Sequence, residues 1–222
     1  MAVIQSATST DILTVDPTMK SFRSSMKPDE LTGDFQVSAI TGAMTVIAAA
    51  GPVFSFRYAP GFGQLCVVKR ISITATVLAG FTGGQQIGYG VFVARNFLAS
   101  DTGGTALGPF TGSNQKIRTT LNSSGVTDCR ISTTGVLTAG TRTLDTLPLG
   151  MTYAYAPTTT AGTIMNNIQL ISYNFNDYPL VLQNNEGFVI ANQVLQGAGG
   201  TVGLVVNVEW FETDAYKASV NN

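Results

Sequence analysis

The chain has 222 residues, with 12 basic and 13 acidic side chains, no histidine and a formal net charge of −1. Charged residues make up 11%, against roughly a quarter in an ordinary soluble domain; this excludes the basic face of a general nucleic-acid binder and the charge-rich, apolar-poor composition of a disordered tail. Without histidine, triad-type catalysis and imidazole metal sites lose their commonest participant, so the composition points to a packed, uncharged β protein and not to an enzyme.

In chain order, residues 1–34 stand apart. A polar run at 6–10 and two prolines, Pro17 and Pro28, interrupt them, and they hold eight charged residues with little period-2 alternation. Neither the positive start nor the apolar run of a secretory signal is present at the beginning. The stretch DPTMKSFRSSMKPDEL predicts a short helix. Asp16 can cap it, Pro17 suits its first turn, and Met19, Phe22, Arg23 and Met26 fall at helical spacing. The segment therefore reads as an N-terminal arm. It is either a loose extension or a piece that orders against a neighbouring subunit, with Met19, Phe22, Arg23 and Met26 as the subunit contact.

The remainder, 35–222, reads as one antiparallel β-sandwich domain. The uncharged stretch 37–56 is long enough to cross a bilayer, but Gly42 and Gly51-Pro52 break it and alanine stands where leucine is needed, so no membrane segment is expected. Within it, 41–50 reads equally as an Ala-rich helix or as a strand. Strands are expected at 55–58, 65–78, 86–94, 127–132, 164–175, 180–182, 187–194 and 201–211, all rich in Val, Ile, Thr, Phe and Tyr. In KRISITATVL, Ile71, Ile73, Ala75 and Val77 share one face; in TVGLVVNVEWF, Val202, Leu204, Val206, Val208 and Trp210 do. The Gly-rich pieces at 79–85 and 197–200 read as hairpin turns, and those at 101–109 and 122–125 as further turns. Residues 113–118 read as a loop-to-strand transition. Eight to ten strands at this spacing point to a jelly-roll-like sandwich or a closed barrel.

No motif carries chemistry. Asp145, Asp177, Glu186, Glu209 and Glu212 are the candidate carboxylates for acid–base work, and nothing in their spacing pairs any two. There is no GxSxG elbow, no SxxK context around Lys69 or Lys116 and no GxxxxGK[ST] loop; GAGGTVG matches a dinucleotide fingerprint only by stretching. Cys66 and Cys129 lack CxxC spacing and sit in strand-like contexts, so two inert buried thiols are expected, with a disulfide left open. Backbone and aspartate oxygens around Asp101 or Asp177 are the only conceivable metal ligands, without an EF-hand cluster to support them. No catalytic, cofactor or metal site is assigned. The arginines Arg57, Arg95, Arg118, Arg130 and Arg142 lie among the β segments and lean toward subunit contacts. Tyr153, Tyr155 and Tyr178 are the aromatics available to a glycan-binding loop.

The strings VFSFRYAPGFGQLCVVKRISI, QQIGYGVFVARNFLASDTGGTAL, NQKIRTTL, DCRISTTGVLTAGTRTLDTLPLG and PLVLQNNEGFVIANQVLQGAGGTVGLVVNVEWFE resemble a family of tailed-bacteriophage virion structural proteins. The matching places are Phe54 to Tyr58, Lys69 to Ile71, Ala94 to Phe97, Gly103 to Thr105, Asn114 to Thr119, Leu137 to Asp145 and Pro179 to Trp210, within 35–212. Tyr58 stands where the family pattern has Trp, and residues 1–34 match nothing in it. The resemblance implies a β-sandwich on the outside of a phage particle, assembled in the host cytoplasm. It also implies a head decoration or cement role, in which a homo-oligomer, often a trimer, bridges major capsid subunits. A tail- or fibre-associated glycan binder and a jelly-roll capsid subunit are the alternatives. Catalysis, cofactors, nucleic acid and membrane have no part in any of the three.

Overall fold

A computed structural model describes residues 4–5, 12–13, 31–45, 47–61, 63–110, 115–117, 122–158, 162, 164–172 and 179–214. Met19, Phe22, Arg23 and Met26, with the helix expected around them, lie outside the described residues. The strands are, in chain order, β1 (Ile4–Gln5), β2 (Ile12–Leu13), β3 (Leu31–Ile40), β4 (Met44–Thr45), β5 (Pro52–Tyr58), β6 (Gln64–Ala79), β7 (Gln85–Arg95) and β8 (Thr105–Ala106). They continue with β9 (Val126–Ile131), β10 (Thr143–Leu144), β11 (Gly150–Ala156), β12 (Ile164–Ser172), β13 (Leu180–Leu182), β14 (Glu186–Asn192) and β15 (Thr201–Asp214). No helix occurs among the described residues. The open reading of 41–50 resolves into the short strand β4 and a turn at Ala49 and Ala50. Gly51-Pro52 and Ala50, at φ 60°, set the path there.

Two antiparallel sheets pack face to face. The first runs β8–β9–β5–β14–β7, with β10 and β11 both on the far side of β7; the second runs β3–β15–β6–β12, with β13 also on β6 and β4 on β15. Along the eight long strands every step but β7 to β11 changes sheet: β3, β6, β12 and β15 build one in the order β3–β15–β6–β12, and β5, β7, β11 and β14 build the other in the order β5–β14–β7–β11. This is jelly-roll wiring. Strands β8 and β9 extend the first sheet beyond β5, inside the long excursion that separates β7 from β11. The short pair β1 and β2 forms a separate ribbon.

This wiring corrects the hairpin readings. β6 and β7 do not pair, and neither do β14 and β15; residues 80–84 and 197–200 each carry the chain from one sheet to the other. Glycine supplies a sharp change of direction in either case, so the turn composition cannot tell a hairpin from a corner. Pairing of the sandwich begins at Leu31, opposite Thr213, ahead of the boundary expected between 34 and 35.

The core forms where the inward sides of the two sheets meet. Ile71, Ile73, Ala75 and Val77 of β6 and Val202, Leu204, Val206, Val208 and Trp210 of β15 are all buried, as their alternation requires. From the facing sheet come Phe54, Phe56, Tyr58, Phe188 and Ile190. Trp210 is the hub: Phe35 stacks on it at 5.4 Å, Phe56 meets it edge-on at 5.0 Å and Phe110 tilts against it at 5.4 Å. Each such ring pair adds roughly 0.5–1.5 kcal/mol beyond the area it buries. Cys66 and Cys129 are free thiols inside this core, and burial pushes both thiol pKa values well up, away from the reactive thiolate. In the second sheet the outward side chains of β15 are only half-buried, so that face is open to water.

Candidate functional site

The four described carboxylates considered for acid–base work, Asp145, Glu186, Glu209 and Glu212, each have a structural engagement. Glu209 pairs with Arg70 on the neighbouring strand. Asp145 and Glu186 come together, but around one guanidinium, with Arg95 3.4 Å from Asp145 and 2.6 Å from Glu186. Glu186 also accepts the backbone N–H of Gln183. Glu212 is buried at the end of β15. It accepts from the Ser124 hydroxyl at 2.6 Å, the Gly125 N–H at 2.9 Å and the Trp210 indole N–H at 3.1 Å. Burial raises its pKa, and these three donors only partly offset that. Asp177 lies outside the described residues. Among the described residues no group of three or more Cys, Asp or Glu could hold a metal ion.

The arginines turn inward to the chain's own loops. Arg57 leaves β5 on the outer face of the first sheet and donates to the carbonyls of Phe97 at 2.5 Å and Leu98 at 2.9 Å. Arg142 grips Asp101 with both prongs, at 2.8 and 2.9 Å, and stacks over the Phe97 ring at 5.6 Å. Asp101 and Arg142 are 0% and 4% exposed, and Gly140 N–H adds a third donor to Asp101. The Asp101 oxygens, considered above as metal ligands, are thus occupied. A Cβ at Gly140 would lie 2.1 Å from the Ala99 carbonyl oxygen, so only glycine lets residues 140–142 approach 99–101 this tightly. Arg130 bonds Asp128 and the Gly103 carbonyl. Removing one partner of a buried pair such as Asp101–Arg142 costs on the order of 3–5 kcal/mol, because it strands the other charge. Arg57, Arg95, Arg130 and Arg142 thus each engage groups of their own chain, while Arg118 lies outside the described residues.

Fastened in this way, residues 94–102 and 137–145 come together as a strap beside β7. The end of β7 pairs with β10 through Arg95 and Thr143, and Ala94 and Leu144. Thr102 bridges Thr138, and Thr141 exchanges backbone bonds with Leu98 and Ala99. Residues 115–117 lie along the free edge of β3, where Lys116 bridges Phe35 and Gln36 N–H donates to the Gln115 carbonyl. That pairing covers an edge that would otherwise be open.

Beyond the strap lies the feature the sequence reading missed. Leu147, Leu149, Met151, Tyr153 and Tyr155 are 79, 55, 49, 47 and 64% exposed, alternate residues along one side of β11 and its approach. The small residues between them face inward: Ala154 packs on the core and Ala156 is buried. Tyr153 lies across Gly88 of β7, where a Cβ would meet its ring at 2.4 Å. The amphipathicity is inverted, with large apolar side chains outside and small ones inside. The alternation MTYAYA is the signal that was available. Of the three tyrosines considered for glycan binding, Tyr153 and Tyr155 share this stripe and Tyr178 lies outside the described residues. Scattered exposed apolar residues need no explanation, but a contiguous row marks a candidate interaction surface. No family model matches the chain, and neither does any curated protein or solved structure.

Proposed function

We propose that this chain is a virion structural protein of a tailed phage, acting as a decoration or cement subunit that binds the major capsid protein through side-chain contacts, as a homo-oligomer. The observation that carries the reading is the exposed row Leu147, Leu149, Met151, Tyr153 and Tyr155 on a sandwich with a loop fastened beside it by the buried Asp101–Arg142 ion pair. Large rigid aromatics and Met are enriched at protein interfaces, and an uncharged surface is cheaper to desolvate than an ionic one. The resemblance to phage structural proteins supplies the setting, and its segments form the strap beside this row. A second reading, a jelly-roll shell subunit, is favoured by the strand order itself.

Co-sedimentation with phage heads lacking this protein tests the first reading. The full chain is expected to pellet with the heads, and a Tyr153→Ser/Tyr155→Ser chain with unchanged melting temperature is expected to stay in the supernatant. If the full chain never pellets with heads, the decoration reading fails; if it assembles alone into closed shells, the second reading replaces it.

A further inference from the structure

On the opposite side of the molecule, the outward face of the second sheet carries a recessed polar trough. The register places Ser38 of β3, Asn207 of β15 and Ser72 of β6 side by side across three adjacent strands. Their sequence neighbours Val37, Ile71, Ile73, Val206 and Val208 are buried, so these three point the other way. Three short side chains in one row make a floor. The next row, Gln36, Glu209 and Arg70, is longer and makes a bank, closed by the Arg70–Glu209 ion pair. The resulting cavity has a volume of about 260 Å³ and is lined by Gln36, Ser38, Arg70, Ser72, Asn207 and Glu209, with Val37 and Val208 beneath. From Ser38 to Ser72 it spans about 10 Å, two strand spacings.

A polar outer face is what an antiparallel sheet shows to water. Two features set this one apart. Ser72 is 2% exposed although it faces outward, so its hydroxyl sits at the bottom of a depression and not on a plane. And the side chains of Gln36, Ser38, Ser72 and Asn207 make no hydrogen bond to any described residue, while polar side chains elsewhere in this chain fasten loops. Amide and hydroxyl groups offer donors and acceptors together. Here they converge on one volume without partners of their own.

The lining selects the ligand. Arg70 and Glu209 neutralise one another, so the trough has no surplus charge to hold a phosphate or a carboxylate. Its exposed lining is polar, so it does not suit a lipid or an apolar side chain. It crosses the strands at a right angle, and β3, the edge strand at one end of it, is already paired along 34–36 by residues 115–117, which closes that stretch to a peptide that would extend the sheet. What remains is a neutral ligand rich in hydroxyl groups, able to give and accept hydrogen bonds around its whole perimeter. We propose that this trough binds a sugar unit of a neutral glycan through Ser38, Ser72, Asn207 and Gln36, with Arg70 and Glu209 as charged partners for adjacent hydroxyls. The site lies on the sheet opposite the apolar row and does not depend on the virion reading.

The test is an amide-resolved NMR titration of the full chain with glucose, galactose, N-acetylglucosamine and rhamnose, each carried to the millimolar range. Saturable shifts are expected for at least one sugar at Gln36, Ser38, Arg70, Ser72, Asn207 and Glu209. They should be lost in Asn207→Ala and, independently, in Ser38→Val, which fills the trough from the edge strand. Melting temperature checks that both variants fold. Absence of saturable shifts with all four sugars overturns the proposal. So do shifts centred on Tyr153 and Tyr155, or shifts that survive both substitutions.

Discussion

Glu212 shows how a single buried carboxylate ties a loop to a strand and makes the tie sensitive to pH. No cation faces it among the described residues; its partners are the Ser124 hydroxyl, the Gly125 N–H and the Trp210 indole, with the buried Cys66 thiol on the paired strand opposite. Desolvation by burial is the dominant influence and raises its pKa above the ordinary carboxylate value. The folded state therefore holds the proton more tightly than the unfolded chain does. The stability contributed by this group is fully present below the ordinary carboxylate pKa and is lost as pH rises through the raised one. Glu212→Gln keeps an oxygen to accept from these donors but does not ionise. Urea midpoints measured from acid to neutral pH should show the wild type losing stability relative to the variant across that window, with the two curves parallel outside it. A constant difference at every pH would show that folding leaves the pKa of Glu212 unshifted. None of this was legible beforehand: Glu209 and Glu212 both flank Trp210 in the sequence, and as candidate carboxylates nothing in their spacing told one from the other. The parity of the strand, with Glu212 on the side of Trp210 and Glu209 on the other, is what separates them.

At the scale of elements, the eight strands expected from β-branched and aromatic runs all exist, because their alternation is imposed by a core they share. Burial of one face selects one register, and both KRISITATVL and TVGLVVNVEWF obey it. What the alternation does not carry is the identity of the partner strand, and so both Gly-rich corners read as hairpins. Strand β11 escaped notice for a different reason. Its inward face is made of small residues, Gly150, Thr152, Ala154 and Ala156, and β12 comes close. A Cβ at Gly150, the first residue of β11, would lie 2.1 Å from the Leu170 carbonyl oxygen in β12. That neighbour is backbone and cannot swing aside. Gly150→Ala should therefore cost about 1–3 kcal/mol, the usual penalty for overpacking. It should also speed amide exchange along β11 more than along β5 or β14. Unchanged protection of β11 would mean that the two sheet edges have room to separate at no cost.

At the scale of the whole molecule, the question is where the sandwich stops needing its N-terminus. Both sheets are complete from Leu31 onward, since β3 takes its entire register from β15 between Thr213 and Val205. The last four residues before Phe35 still matter, because Asp34 pairs with Lys69 at 2.7 Å and its carbonyl accepts the Ile117 N–H. Phe35 itself is 0% exposed and stacks on Trp210. A chain lacking residues 1–30 should keep the melting temperature of the full protein. A chain lacking residues 1–40 loses β3, leaves one side of Trp210 bare and opens the edge of β15; it should be unfolded or aggregated at room temperature. This separates the two readings of the arm. If Met19, Phe22, Arg23 and Met26 contact a neighbouring subunit, the chain lacking 1–30 will be folded by melting temperature yet will assemble with fewer subunits in solution or fail to pellet with phage heads. If the arm is a loose extension, the number of subunits and the pelleting will match the full chain, and the apolar row on β11 will be left as the surface through which the protein assembles.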